Sequence, residues 1–548
     1  MRALTQQDVV THLSSTVDDS VTSWEQVPGT SAMLNLDLAV QRFMQAVNNN
    51  ERIVFVHDSD ADGLGTYMLS MIFFKVFGYA NIEVIITDRK NGYGFVPKYV
   101  NDRINDNVGL YITADNGITS LEACARAKEL GIDTIITDHH QVDSYRGLPD
   151  AIVVDPHQEA DSFPYPNING TFVYWYFLNA IQEVSNTPIN MYTEFLPELA
   201  LTTISDVMPL TGINRFIVKQ GLHVFPTHHR QWVKTFFEMH DRPNVTAEDL
   251  SFGLIPSINV TSRLTNAEES AMFLTRENHW ESKEWLTYIK TLNDVRKKKQ
   301  ESLMKDINNL YASWIDAPFI LVPGKDFEKG ILGPTAGRIA QHHRKPTIIM
   351  SLNKAGDTYS GSGRSTGAID LLGLVKDNPY VIKDKTGGHK AACGVSVPEE
   401  DLIPFWQQLQ KDTMALHPDL YIDKQVEPLG KIELRDIDYE LFKSIDAFQP
   451  FGEKFKKPLF YGRAIFKKVA KMGKDKNHYQ MIISDGLGTE IRAVWFFFTG
   501  ELKSNKKYGF AFTINKETFK PKSDEDLSLM IEKIYTEVEW SDIEDKVD

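Results

Sequence analysis

HDSDADG, residues 57–63, sets three aspartates at alternate positions directly behind the apolar run IVFV (53–56) and closes them with a glycine. Carboxylates this close repel and raise one another's pKa unless a cation sits among them. The spacing therefore asks for a metal, and the surrounding chain must say which chemistry that metal serves.

Working outward, residues 52–156 repeat one unit: a short β-branched run, a polar turn, then a helical stretch. The runs are IVFV (53–56), IEVIIT (82–87), LYITA (110–114), DTIIT (133–137) and AIVV (151–154). Strands alternating with helices predict an α/β fold with a doubly wound parallel sheet, whose ligands gather beyond the carboxyl ends of the strands. On that scheme Asp58, Asp60 and Asp62 follow the first run, Asp115 the third, Asp138, His139 and His140 the fourth, and Asp155 with His157 the fifth. All fall at one rim. Mixed carboxylate and imidazole donors suit Mn²⁺ or a similar first-row ion, and carboxylates between two ions suit a two-metal hydrolase. Each Asp alone could simply cap the following helix; their convergence favours the metal. Asp206, in SDVMPL at the end of the helical stretch LPELALTTI, would read by itself as a turn residue.

The chain of 548 residues suggests about three domains. Its net charge of -15 argues against coating of nucleic acid by the whole surface and leaves room for local basic tracks. Two distant cysteines and no leader-like start fit a reducing cytoplasm. YMLSMIFFKVFGYA carries Lys75 and is shorter than the ~20 residues of a membrane span, so it predicts a buried helix. From 284 to 314, Trp285, Ile289 and Leu292, then Leu303, Ile307, Leu310 and Trp314, form two apolar stripes around the charged run RKKKQE. That predicts a bridging helix with a solvated middle and ends docked on different domains. A second α/β unit begins at FILVPG. Its turns GSGRS and TGGHKAACG bring small residues together with Arg364, His389 and Lys390, a pattern for close approach to an anion, or else two tight turns. Beyond about residue 426, short aromatic strands predict a small β-barrel. Lys454 to Lys476 holds nine basic residues, Lys454, Lys456 and Lys457 first, against the single acid Asp475, interleaved with Phe455, Phe460, Tyr461 and Phe466. Cations with stacking rings suggest a single-strand groove; a solvated barrel face is the alternative.

DSDADG, TADNG, TDHH and ISDVMPL resemble the successive motifs of the DHH phosphoesterase superfamily. DRKNGYGF, INVTSRL, KGILGPTAGRIAQHHRKPTII, GSGRS, GGHKAACG, FQPFGEKFKKPLF and GKDKNHYQMII extend the similarity, in order, to the RecJ family of single-strand-specific exonucleases over about residues 50–500. The resemblance implies an N-terminal extension on the core (1–50), a DHH catalytic domain (51–283), a connecting helix (284–314), a DHH-associated substrate-binding domain (315–425) and an OB-fold domain with an acidic end (426–548). It implies that Asp60, Asp62, Asp115, His139 and Asp206 hold two divalent ions, Mn²⁺ or Mg²⁺, with Asp58, Asp138 and His140 as further ligands or supports. Arg89, Asn259, Arg263, Ser362 and Arg364 would meet phosphate. The implied activity is hydrolysis of single-stranded DNA from the 5′ end to 5′-mononucleotides in repair, recombination or replication. The setting would be a bacterial or phage-infected cytoplasm, with a monomer meeting a single-strand-binding protein or helicase and no membrane. Asp155, Ser262 and Glu328 replace the family's usual Asn, Gly and His. Two rival readings are a DHH phosphodiesterase of short oligonucleotides, cyclic dinucleotides or other small phosphorylated molecules, and a noncatalytic single-strand-binding scaffold. The basic track argues against the first and the full ligand set against the second.

Overall fold

The computed structural model describes residues 3–88, 91–92, 94–142, 146–240, 244–315, 317–365, 369–416, 427–473, 476, 478–496, 500–518, 521, 523, 525–535 and 540. Two units result: Trp24–Met208 with Gln220–Asp423, and Met1–Ser23 with Pro209–Lys219 and Lys424–Asp548.

In the larger unit, β1 (Arg52–His57), β2 (Ile82–Ile86), β3 (Val108–Ala114), β4 (Asp133–Thr137) and β5 (Ile152–Val154) form a wholly parallel sheet in the order β2-β1-β3-β4-β5. β1 is buried on both faces, so its run of Ile53, Val54, Phe55 and Val56 is continuously apolar rather than alternating. Helix α1 (Ala61–Phe77) follows, with Leu64, Met68, Leu69 and Phe73 buried, and Gly78 at φ 82° ends it. This is the buried helix expected from YMLSMIFFKVFGYA, and among the described residues no helix is long and apolar enough to cross a membrane.

The register decides where the chemistry falls. His57 pairs with Ala114, Ala114 with Thr137, and Thr137 with Val154. The next residue of each strand, Asp58, Asp115, Asp138 and Asp155, therefore stands in one row at the carboxyl rim. Backbone bonds continue the ladder into that row, from Asp58 N to Ala114 O (3.3 Å), Asp115 N to Thr137 O (3.0 Å) and Asp138 N to Val154 O (3.1 Å).

Helices α2 (Gly170–Ser185), α3 (Leu196–Ser205), α4 (Ile255–Ile258) and α5 (Thr261–Leu264) follow, then the 32-residue α6 (His279–Leu310). The connecting helix thus starts earlier than residue 284, because Asn278 Oδ1 caps it by accepting from Trp280 N (2.9 Å) and Glu281 N (3.1 Å). Its Leu286 and Ile289 join the helical core around α1, while Leu303 and Ile307 join a second core with Ile320 and Ile349. Two details differ from expectation. Leu310 is 74% exposed, and the middle is not wholly solvated: Lys297–Lys299 are exposed, but Asn293 and Gln300 are buried.

The second sheet runs β6 (Ile320–Gly324), β7 (Thr347–Leu352), β8 (Thr358–Arg364), β10 (Ala392–Pro398), β9 (Gly387–His389), with α7 (Lys329–His343) packed on it. Glycines give α7 a smooth face. A Cβ at Gly330 would stand 2.0 Å from Arg263 O, and one at Gly333 2.9 Å from Arg364 Nη2.

In the smaller unit, β11 (Gly430–Lys431) precedes β12 (Phe460–Met472), β13 (His478–Ser484), β14 (Glu490–Trp495), β15 (Lys506–Lys516) and β16 (Leu527–Tyr535). The order β12-β13-β14-β16-β15 closes through β15 onto β12, with only β14 and β16 parallel among these pairs. It is the five-stranded Greek-key barrel of an OB-fold. The first residues belong here rather than on the catalytic core: helix Gln6–Thr16 sends Val9 and Leu13 into the barrel's apolar cluster, whereas Leu36 to Ala46 packs in the larger unit.

Arg215 ties the smaller unit together. It is 1% exposed, donates from Nε to Asp19 Oδ1 (2.8 Å), from Nη1 to Pro450 O (2.6 Å) and from Nη2 to Phe448 O (2.7 Å), and lies 4.7 Å from the Phe455 ring centroid. Partial burial pushes Asp19 up, but the Arg215 hydrogen bond and charge outweigh it and hold the carboxyl below its ordinary value. Arg215→Met should leave the Phe448 and Pro450 carbonyls without this donor and Asp19 with Lys219 alone (3.3 Å), at a cost of about 2–4 kcal/mol. Urea unfolding followed at the barrel tryptophans should show this loss; an unchanged midpoint would mean the guanidinium contributes nothing net.

Candidate metal centre

Asp60 is both cap and potential ligand. As N-cap of α1 it accepts from Asp62 N (3.0 Å) and Gly63 N (3.3 Å) through Oδ1, and it also belongs to a group of potential ligand atoms with Asp58 and Asp115. The capping alternative and the metal reading thus hold together. Asp58, 3% exposed, accepts from Thr87 Oγ1 (3.0 Å), and Thr87 directly follows β2 on the same rim.

Asp62 would be untenable as a bare buried carboxylate. The first turn of α2 meets it: Gly170 N donates to Oδ2 (2.8 Å), while Thr171 N (3.0 Å) and Thr171 Oγ1 (2.6 Å) donate to Oδ1. Burial and the charge of Asp60 still push it up to about 7. Gly170 cannot be replaced freely, because a Cβ there would stand 2.2 Å from Asp115 Oδ1.

Asp115 has a left-handed backbone, φ 62°, and is 2% exposed. His139 Nε2 lies 3.2 Å from Asp115 Oδ1, yet without hydrogen-bond alignment, so this oxygen is a buried acceptor without a hydrogen-bond partner. Burial and the charges of Asp62, Asp60, Asp58 and Asp206 drive its pKa well above the ordinary value. The same His139 nitrogen is 3.6 Å from Asp206 Oδ2 and 3.8 Å from Asp62 Oδ2.

Asp138 behaves differently. Its Oδ1 accepts from His139 N (2.8 Å), His140 N (3.2 Å) and His140 Nδ1 (2.7 Å), and its Oδ2 from Ile118 N (2.9 Å). Burial alone would raise its pKa, but His140 and these donors hold it far below the ordinary range; in turn Asp138 overcomes the burial of His140 and pushes that imidazole up to about 10. Asp138 is thus saturated as an acceptor; it orients the His140 ring and pins the backbone of His139.

Asp206 is the C-cap of α3, where the helix dipole disfavours an anion. Burial and the charges of Asp62 and Asp60 raise its pKa well above normal. The turn that delivers it is a Schellman motif: Val207 N bonds Ile204 O (3.2 Å) and Met208 N bonds Thr203 O (3.1 Å). Glycine or asparagine normally fills the left-handed position, yet here it is Val207 at φ 54°.

Three groups of donors result: Asp58, Asp60 and Asp115; Asp62, His139 and Asp206; Asp115, His139 and His140. Within each, the ligand atoms lie within 4.8 Å of one another. The fit to divalent cations is direct. The donors are hard oxygens with imidazole, the Asp115 oxygen is buried without a hydrogen bond, and an acid sits at a helix C-terminus. Asp155 does not join them: fully buried, it accepts from His157 N (2.8 Å).

Of the expected phosphate residues, Asn259 is engaged through Oδ1 by Ala61 N (2.7 Å), fixing the start of α1. Arg263 lies on α5 and Ser362 and Arg364 on β8, with Arg364 against Gly333 and Gly337 of α7. Lys390 is exposed in the β9–β10 turn; Arg89 and the His389 side chain lie outside the described residues. Glu328, at the usual His position, is bound by Lys299 at 2.7 Å. Thr87, Asn169, Gly170 and Thr171 were not singled out by sequence. The Asn-Gly-Thr order was a usable signal, since Asn169 caps α2 by accepting from Phe172 N (3.0 Å).

On the barrel, period-2 alternation divides the basic track. Phe460 and Phe466 face the core and are fully buried, as is nearly all of Phe455. Three of the four rings expected to stack on bases are therefore turned away from any ligand. A bulge after Phe466 instead exposes both Lys467 and Lys468, with Lys471 and Lys476 also exposed. Lys454 and Lys456 are exposed; Lys457 reaches Asn515 Oδ1 at 2.5 Å.

Val207→Asn should raise stability by about 1 kcal/mol, since a β-branched residue leaves the left-handed region and only a largely exposed side chain is changed. Thermal unfolding measures this; a lower midpoint would show that Val207 packs better than its exposure indicates.

Comparison with known proteins agrees with this geometry. Residues 52–203 match the N-terminal domain of the DHH family, 310–415 the DHHA1 domain and 430–533 the RecJ OB domain. The single-stranded-DNA-specific exonuclease RecJ of Salmonella typhimurium is 29% identical over 466 residues, 80% of this chain and 78% of that protein. Its counterpart from Haemophilus influenzae is 27% identical over 477 residues, 83% of this chain and 82% of that one. The crystal structure of RecJ with Mn²⁺ from Thermus thermophilus superposes with a TM-score of 0.75 at 21% identity, covering 92% of this chain and 72% of that one. With its DHH, DHHA1 and RecJ OB domains in order, the chain belongs to the DHH superfamily as a RecJ-like member.

Proposed function

We propose that the protein is a metal-dependent exonuclease that hydrolyses single-stranded DNA from its 5′ end and releases 5′-mononucleotides. The observation that carries this reading is the buried Asp115 oxygen facing His139 Nε2 at 3.2 Å within the row of strand-end carboxylates. The relatives named as single-strand-specific exonucleases point to the substrate, and the OB barrel fits a single strand. Work in DNA repair, recombination or replication, in the cytoplasm and beside a single-strand-binding protein, accords with that substrate.

Asp58, Asp60 and Asp115 would hold one divalent ion, and Asp62, His139 and Asp206 a second. Divalent ions bound there, Mn²⁺ or Mg²⁺, would supply Lewis acidity for phosphodiester hydrolysis. The residues do the rest. Gly170 and Thr171 hold Asp62 in place, and Asp138 fixes the ring of His140 and the backbone of His139. His140, tied through Nδ1 to Asp138 Oδ1, would offer its other ring nitrogen to a ligand or a phosphate oxygen. Arg263, Ser362 and Arg364 bind the terminal phosphate, for which guanidinium offers two parallel donors. The barrel lysines follow the backbone by charge, so bases need not be read.

With Mn²⁺, the full-length protein should release label early from a 5′-labelled single strand and late from a 3′-labelled one, and chelator should stop both. Asp115→Asn should reduce the rate at least a hundredfold while far-UV circular dichroism stays unchanged. Early release from the 3′ end would reverse the polarity. Release only from dinucleotides would favour a small-molecule phosphodiesterase.

Lys467 is paired with Glu490 (2.5 Å), so replacing Lys468 and Lys471 together by Ala should flatten the salt dependence of long-strand binding, by about 0.7 in the log–log slope for each phosphate the variant no longer neutralises. An equal slope in parent and variant would show that this face is merely solvated.

A further inference from the structure

The parallel sheet of the larger unit has two edges, β2 and β5, and the chain treats them differently. β5 is three residues long, and its outward carbonyl, Val153 O, accepts from the side-chain amides of Asn35 (2.9 Å) and Gln158 (3.0 Å). That edge is closed to a further strand. β2 has five residues, no Pro, no Lys and an unbroken register with β1, and its one charge, Glu83, is neutralised by Arg52 and Arg103. The usual protections of a free edge are missing from the strand itself.

Alternation along β2 fixes which main-chain groups face outward. Ile53 N donates to Asn81 O (3.0 Å) and Thr87 N to His57 O (2.8 Å), so the odd-numbered residues turn their N–H and C=O toward β1. Val84 and Ile86 turn theirs away, and among the described residues these four groups meet no partner. Asp88 N, next in the outward series, is taken by the Tyr99 hydroxyl (2.8 Å), which ends the open stretch.

The open stretch lies in a groove. A cavity of about 350 Å³ runs along Val84 and Ile86 between Tyr99 on one side and Tyr67, Glu268 and Met272 on the other. The walls rise on both faces of the sheet: Tyr99 belongs to the apolar cluster of Ile85, and Tyr67 to that of Ile86. Such walls suit a single extended segment better than the edge of another folded sheet. The charges at the groove are mostly spent, Arg103 on Glu83 and Asp102 on Lys98 (2.7 Å). Glu268 is exposed, meets only the Asn266 amide (3.4 Å), and has no cation beside it among the described residues. The charge left over is therefore negative.

We infer that β2 is a docking edge for an extended segment of a partner protein, which adds to the sheet as a strand, alternates apolar with polar residues and sets a Lys or Arg against Glu268. The outward groups of Val84 and Ile86 bind its main chain, and Met272, 37% exposed and unbranched, adapts to its apolar side chains. The groove shares no residue with the metal centre or with the residues proposed to bind phosphate, so it adds a partner-binding function that stands whatever that centre cleaves.

The test selects a phage-displayed library of random dodecapeptides on the full-length protein. Recovered peptides should alternate apolar with polar residues and carry Lys or Arg. As fluorescein conjugates they should bind the parent roughly tenfold more tightly than they bind Val84→Pro, which lacks one outward N–H, or Glu268→Lys, which lacks the anion. The proline removes a donor that β1 does not use, a position where an edge strand tolerates it, and circular dichroism checks folding. A readout that needs no variant is N-methylation of the peptide at alternate residues: methyl groups along one of its edges should abolish binding, and along the other should leave it. Selection of acidic peptides, of none that separates the parent from both variants, or of peptides indifferent to both methylation patterns overturns the inference. If Val84→Pro does not fold, Glu268→Lys and the methylated pair decide it.

Discussion

The fold is organised around electrostatic crowding that it does not itself resolve. Asp58, Asp62 and Asp115 are nearly fully buried, Asp60 and Asp206 close the same cluster, and the cations within reach are histidines. Hydrogen bonds from Thr87 and from the first turn of α2 satisfy part of the set, yet burial and mutual repulsion still hold Asp62, Asp115 and Asp206 above ordinary carboxyl behaviour. Such an arrangement stores unfavourable energy unless divalent charge enters. Burial with incomplete neutralisation is how a site reserves affinity for a metal.

Parallel strands make the crowding unavoidable. Because β1, β3, β4 and β5 are in register at His57, Ala114, Thr137 and Val154, one acidic residue after each strand suffices to build a row. The four positions then diverge by what meets them. Asp138 receives four donors and becomes a structural anion that orients the His140 ring and pins the His139 backbone. Asp155 turns to His157 N. Asp115 is left with a buried oxygen facing an imidazole nitrogen. One sequence pattern thus yields an unsatisfied buried carboxylate, a hydrogen-bonded positioning anion and a buried support according to local hydrogen bonding.

That difference marks the limit of what the sequence disclosed. The parallel sheet, the buried helix after HDSDADG, the bridging helix and the barrel were legible because each rests on hydrophobic periodicity or β-branched runs. The row of acids and histidines was legible because strand ends in a parallel sheet share a rim, whereas Asp206, at a helix end, was not legible from the pattern alone. Thr87, Gly170, Thr171 and Arg215 were not, since each acts on a residue distant in the chain: Thr171 meets Asp62, and Arg215 meets Asp19 and the carbonyls of Phe448 and Pro450. No periodicity announces such pairings. The affiliation of the first helix with the barrel was hidden for the same reason.

The barrel shows a second kind of illegibility, in which composition suggests one mode of binding and strand geometry leaves another. Aromatics interleaved with lysines read as a stacking platform, but alternation along β12 sends Phe460 and Phe466 inward and the bulge at Lys467 turns two adjacent lysines outward. The rings stabilise the barrel and the cations face solvent. Charge without stacking favours contact with the backbone over contact with bases, which suits a nuclease that must release each nucleotide and advance regardless of sequence. Contacts of this kind are also individually weak and screened by salt. They hold a strand by charge and do not fix its register.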